Sequence, residues 1–183
     1  LCGFTAMSEK LKPPEVVRVL NNVFELLGEA VFHYKGTLDK FMGDGMLAFF
    51  GAPISQPNHA ELAVRAALKM QQDLIEYNEK LPKGTAHIGM RVGINSGPVV
   101  VGDIGSKTRK DYTVIGGTVN LASRLESSVA KPGQVVLGPS TYDLVKNDVS
   151  CQKLEPVPLK GINTPVAPYL AEEFEAGRET HML

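Results

Sequence analysis

Between Pro13 and Gly36, apolar side chains fall at Val16, Leu20, Val23, Phe24, Leu27 and Val31, steps that place them along one face of a helix. Prolines at the start of this stretch and Gly36 beyond its end match the usual helix boundaries, so the pattern predicts a long amphipathic helix. The stretch "HAELAVRAALKMQQDLIEYNEKL" from His59 predicts a second one, with Ala60, Leu62, Val64, Ala67, Met70 and Leu74 supplying the apolar surface. Between the two the period shortens. "TLDKFMGDGMLAFFG", residues 37–51, reads as two short strands around a Gly-Asp-Gly turn, and Asp-Gly is itself a strong hairpin signal.

Downstream, "HIGMRVGINSGPVVVGDIG" reads as two strands broken at Ser96-Gly97-Pro98, a second hairpin. A third helix is expected from about Thr118, then a strand at "QVVLG", a short helix from about Ser140, and two terminal strands near Cys151 and Val166. The opening "LCGFT" reads as the end of a strand. Strands and helices in this order predict an α+β fold, a sheet with helices packed against it. The apolar pattern fades in the last dozen residues, and residues 173–183 are expected to form a polar tail.

At 183 residues the chain fits one domain that can bury a real core. A formal charge of -1, with basic residues scattered among acids, gives no reason to expect nucleic acid as partner. Two cysteines, Cys2 and Cys151, imply no disulfide framework, so a reducing, cytoplasmic setting is the expectation. No run approaches the roughly 18 apolar residues of a membrane-spanning helix. The start at Leu1, without Met, suggests a domain excised from a longer protein, whose regulatory or sensor parts would lie elsewhere.

Familiar chemical motifs are mostly lacking. "GDIGSKT" lacks the adjacent Gly-Lys of a phosphate loop, no GxGxxG follows a strand, and there is no GxSxG. His33, His59, His87 and His181 are too widely spaced for a paired helical metal motif. What remains is a set of four stretches: "GFT" at 3–5, "DKFMGDG" at 39–45, "DYTVIGGTVNLASRLE" at 111–126 and "PLKGI" at 158–162. In this order and at these separations they resemble the catalytic domain of the class III nucleotide cyclases, most closely the bacterial adenylate cyclases.

The resemblance implies a ferredoxin-like mixed sheet with packed helices over residues 1–172. It also implies conversion of ATP to 3′,5′-cyclic AMP and pyrophosphate by attack of the ribose 3′-hydroxyl on the α-phosphate. Two Mg2+ ions, with Mn2+ as a substitute, would be held by oxygen ligands, Asp44 and the Leu1 backbone carbonyl among them. The family's second metal-binding Asp would align immediately before Leu1. Gly3, Phe4 and Thr5 would offer backbone amides to the β- and γ-phosphates, and Lys160 would contact the triphosphate.

Asn120 and Arg124, four residues apart, lie side by side on a helix face distinct from that of Val119, Ala122 and Leu125. In the family, such an Asn orients the ribose and such an Arg stabilises charge on the phosphate, both reaching across a homodimer groove. Lys40 can only donate and the Thr113 hydroxyl can accept, a pair that matches adenine N1 and its 6-amino group. Guanylate cyclases usually carry an acid in place of Lys40. A guanylate or dual-specificity enzyme, and a non-catalytic nucleotide-binding dimer module, stay as alternatives. The general base is open between a metal-ligating carboxylate and a substrate phosphate.

Overall fold

The computed structural model describes residues 1–174, and its elements follow the apolar pattern closely. A short helix α1 (Phe4–Ser8) precedes the long helix α2 (Pro13–His33), a hairpin of β1 (Thr37–Met42) and β2 (Gly45–Phe49), and helix α3 (His59–Glu79). Strands β3 (Val92–Ile94), β4 (Val100–Gly105) and β5 (Lys110–Ile115) lead to helix α4 (Gly117–Ser128). Strand β6 (Val135–Leu137), helix α5 (Pro139–Val145), and strands β7 (Val149–Lys153) and β8 (Tyr169–Phe174) complete the described fold.

The mixed sheet is divided into three ladders. A four-stranded piece runs β3-β6-β8-β7, with β3 and β6 parallel and the other pairs antiparallel, flanked by the two-stranded ladders β1-β2 and β4-β5. Strand β6 shows why helices must cover both faces of the larger piece. Val135 and Leu137 pack with Ala60, Val64 and Ala67 of α3, while Val136, between them, packs with Leu125 of α4. Successive side chains of a strand point to opposite faces, so this three-residue strand contributes to two cores. A third core lies between α2 and α3, where Val23, Leu27 and Val31 meet Ala66, Met70 and Leu74.

Several expectations change in detail. The hairpin expected around Ser96-Gly97-Pro98 does not form: β3 pairs with β6, and β4 pairs with β5, a strand the apolar pattern had not marked. Gly and Pro stop the chain there, but a turn signal cannot say whether the two flanking strands pair with each other. Val166 makes an isolated bridge to Val157, and the last strand begins three residues later at Tyr169. At the start of the chain Cys2 bridges Gly89 in antiparallel fashion, after which Gly3 takes a left-handed φ of 78° and the chain turns into α1. Of the expected polar tail, residues 173 and 174 belong to β8, and 175–183 lie outside the described residues.

Candidate functional site

The Gly-Asp-Gly turn is the tip of the first hairpin. Met42 pairs with Gly45, leaving Gly43 and Asp44 as a two-residue loop. Gly43 supplies the positive φ of 62° that a tight hairpin needs at its first central position. A Cβ there would meet nothing within 4 Å, so the turn opens into free space. The Asp44 side chain is 40% exposed, and the Leu1 nitrogen donates to the Asp44 carbonyl at 2.9 Å. The first residue of the chain and the hairpin tip are therefore adjacent.

No group of three or more His, Cys, Asp or Glu side chains among the described residues could hold a metal ion. The donors at the tip still suit a hard divalent cation, because magnesium is commonly bound through one or two carboxylates and completed by water and substrate phosphates. The half-exposed Asp44 carboxylate offers oxygen there, with Leu1 adjoining it. Next to them, Gly3 is the N-cap of α1 and no side chain caps this helix end. The first amides of a helix lack partners within it, which leaves the Gly3–Thr5 stretch able to meet an anion.

At the other end of the hairpin the register slips. Leu38 faces Ala48 but Lys40 faces Leu47, so Asp39 is the extra residue of a β-bulge. Bulges re-aim side chains. Here the Asp39 carboxylate, 1% exposed, turns toward β5, where its Oδ2 accepts a hydrogen bond from the Thr113 hydroxyl at 2.6 Å and one from the Val114 amide at 3.3 Å. Its Oδ1 lies 3.6 Å from Lys40 Nζ. Lys40 and Thr113, 73 positions apart in the chain, are thus gathered around one buried carboxylate that the sequence pattern had not singled out.

Asn120 and Arg124 sit on α4, Asn120 exposed and Arg124 partly so, while Leu125 is fully buried beneath them. The helix lies hard against β3. A Cβ at Gly93 would stand 2.3 Å from the Ala122 carbonyl oxygen, so only glycine allows this approach. No hydrogen bond or ion pair among the described residues links Asn120 or Arg124 to Asp44, Lys40 or Thr113. Lys160 is exposed in the turn between Val157 and Val166, joined to none of the others. Arg109 and Asp111 form an exposed contact at 3.9 Å, of the kind that adds little stability.

In one chain the candidate residues form separate groups: the Asp44 tip with residues 1–5, the Lys40–Asp39–Thr113 cluster, the outer face of α4 with Asn120 and Arg124, and the exposed Lys160. Exposed apolar side chains occur on both hairpins. Phe41, Met42, Val100, Tyr112 and Ile115 are each 43–63% exposed, and Val100 and Ile115 are paired across the β4-β5 ladder. A charged groove between α2 and α3, lined by Asn22, Glu25, Glu29, Lys69, Asp73 and Lys80, contains no candidate residue. Burial raises the pKa of the Cys151 thiol, and the hydrogen bond to Asp73 raises that of Lys69; neither is one of the candidate residues.

The profile of the family described as "Adenylate and Guanylate cyclase catalytic domain" matches residues 1–173. A protein of Rhizobium meliloti named Adenylate cyclase 1 is 41% identical over 135 residues, covering 73% of this chain and 20% of that relative, so the chain spans about a fifth of its length. The crystal structure of the adenylyl cyclase CyaB from P. aeruginosa superposes with a TM-score of 0.88 at 34% identity, covering 97% of this chain and 92% of that one. The crystal structure of the guanylyl cyclase Cya2 gives a TM-score of 0.86 at 39% identity, covering 97% and 90%.

Proposed function

Since the chain belongs to the adenylate and guanylate cyclase catalytic domain family, we propose that it converts ATP to 3′,5′-cyclic AMP and pyrophosphate in a homodimer with two shared sites. The observation that carries the choice of ATP is the gathering of Lys40 and Thr113 around Asp39. Adenine presents an acceptor at N1 beside a donor amino group. Lys40 donates to the first and the Thr113 hydroxyl accepts from the second. Guanine reverses both polarities and leaves buried groups unpaired, a mismatch that polar sites reject strongly.

In this reading the groups form two half-sites that belong to different chains. Asp44 and the Leu1 carbonyl of one protomer would hold divalent cations, magnesium or manganese, which would lower the pKa of the ribose 3′-hydroxyl and neutralise charge on the triphosphate. Amides of Gly3, Phe4 and Thr5 cradle the terminal phosphates, and Lys160 adds a positive charge to them. From the other protomer, Asn120 orients the ribose and Arg124 meets charge that grows at the α-phosphate as pyrophosphate leaves. The exposed apolar rows on the hairpins supply the surface that joins the chains, since patches of this kind mark interaction sites.

Guanylate cyclase activity is the second reading, favoured by the 39% identity to the guanylyl cyclase Cya2. Initial rates with ATP and with GTP, each with magnesium and then manganese, decide between them. Cyclic AMP as the dominant product is the expected result; equal or higher rates of cyclic GMP formation overturn the choice of ATP. No formation of either cyclic nucleotide by the dimer overturns the enzyme reading.

A further inference from the structure

The side chain of Asp39 is 1% exposed and placed between the two residues read as selecting the base, yet it has no part in the proposed chemistry. Its carboxylate can only accept hydrogen bonds. The Thr113 hydroxyl has one proton, and at 2.6 Å from Oδ2 that proton is committed to Asp39. What the hydroxyl can still offer is lone pairs. An unrestrained threonine hydroxyl rotates to suit its partner and serves either as donor or acceptor. Next to Asp39 it only accepts.

We propose that Asp39, lifted out of register by the β-bulge, is a positioning residue for base selection: it fixes Thr113 as an obligate acceptor, so a 6-amino purine is admitted and a 6-oxo purine refused. The inference rests on the adenine reading given above. A 6-amino group donates to the fixed lone pair. A 6-oxo group brings a second acceptor against it, and the hydroxyl cannot turn to help because its proton is held. The short separation between Asp39 Oδ1 and Lys40 Nζ, 3.6 Å, places the ammonium beside the same carboxylate, where it meets the purine N1. The plainer role of Asp39 is to tie β1 to β5 through the Val114 amide, and both roles use the same oxygen.

The experiment is the ratio of kcat/KM for ATP to that for GTP in Asp39→Ala, Asp39→Asn and the parent chain, all as dimers. Loss of folded enzyme scales both values equally and cancels in the ratio. With the hydroxyl released, Asp39→Ala is expected to lower the ATP:GTP ratio by at least about tenfold, because one reversed hydrogen bond no longer opposes guanine. Asp39→Asn keeps an amide oxygen facing the Thr113 hydroxyl and the Val114 amide, and is expected to hold the ratio within about threefold of the parent. In a Thr113→Val background, which has no hydroxyl to fix, adding Asp39→Ala is expected to leave the ratio nearly unchanged.

If Asp39→Ala turns over too slowly, the preference is read instead as the ratio of the Kd for GTP to that for ATP, from displacement of a fluorescent ATP analogue. A parent chain that prefers ATP, with an Asp39→Ala ratio equal to it, overturns this inference and leaves the adenine reading standing. A parent chain without preference for ATP overturns both.

Discussion

Asp44 stands at the end of a turn that keeps its carboxylate open, with no ion pair to a basic side chain among the described residues and only the Leu1 nitrogen nearby. In the proposed reading, removing it is expected to cost the fold little and the chemistry a great deal. Asp44→Ala is expected to lower cyclic nucleotide formation at least about a hundredfold, since metal-borne charge stabilisation is worth several kcal/mol, while the thermal unfolding midpoint stays near that of the parent. In the proposed reading, Lys40 works through hydrogen-bond polarity. Lys40→Glu replaces a donor by an acceptor at the position facing N1, and the expected outcome is a shift of preference toward GTP, read from initial rates with both nucleotides. An unchanged preference for ATP removes Lys40 from base selection.

Among the elements, α4 is held at close quarters. It rests on the bare backbone of Gly93, where an added Cβ would also lie 2.5 Å from the Glu126 amide nitrogen. Gly93→Ala must lift the helix or bend the strand, and overpacking of this kind costs about 1–3 kcal/mol. The expected consequence is a lower unfolding midpoint together with a larger fall in kcat than the loss of folded protein explains, because Asn120 and Arg124 move with the helix. Denaturant melts and kcat measured on the same preparation separate the two. By contrast α3 is held in part by a polar clasp: the buried Asn78 amide both donates to the Ile88 carbonyl at 2.8 Å and accepts from its N–H at 2.9 Å, as a strand neighbour would. That clasp anchors the segment leading to β3.

At the scale of the molecule, shared sites have an arithmetic of their own. Chains carrying Asp44→Ala and chains carrying Arg124→Ala are each expected to be nearly inactive alone. Mixed in equal amounts and allowed to exchange, half of the dimers contain one chain of each kind, and each of these has one intact site; recovery of about a quarter of the parent activity is expected for a symmetric pair. No recovery, with mixed dimers shown to form, means that Asp44 and Arg124 serve the same chain. Dilution gives a second reading: specific activity is expected to fall as the dimer dissociates, and a constant value far below that range contradicts a shared site. No helix among the described residues is long and apolar enough to cross a membrane, so any such segment lies outside them.

The amphipathic periods of α2 and α3, the Gly-Asp-Gly hairpin and the side-by-side placement of Asn120 and Arg124 were determined by local sequence, because helix and strand periods and tight turns depend on residues a few positions apart. Strand pairing was not: β3 runs beside β6, which lies apart from it along the chain, and β4 beside β5, a strand the apolar pattern had not marked. Asp39 shows the limit most clearly. In an unbroken strand neighbouring residues point to opposite faces, so Asp39 and Lys40 together give no hint of a common cluster. Only the bulge opposite Leu47 and Ala48, and the folding of β5 against β1, bring that acid to the Thr113 hydroxyl. Such a contact between distant segments depends on tertiary packing, which no local pattern encodes.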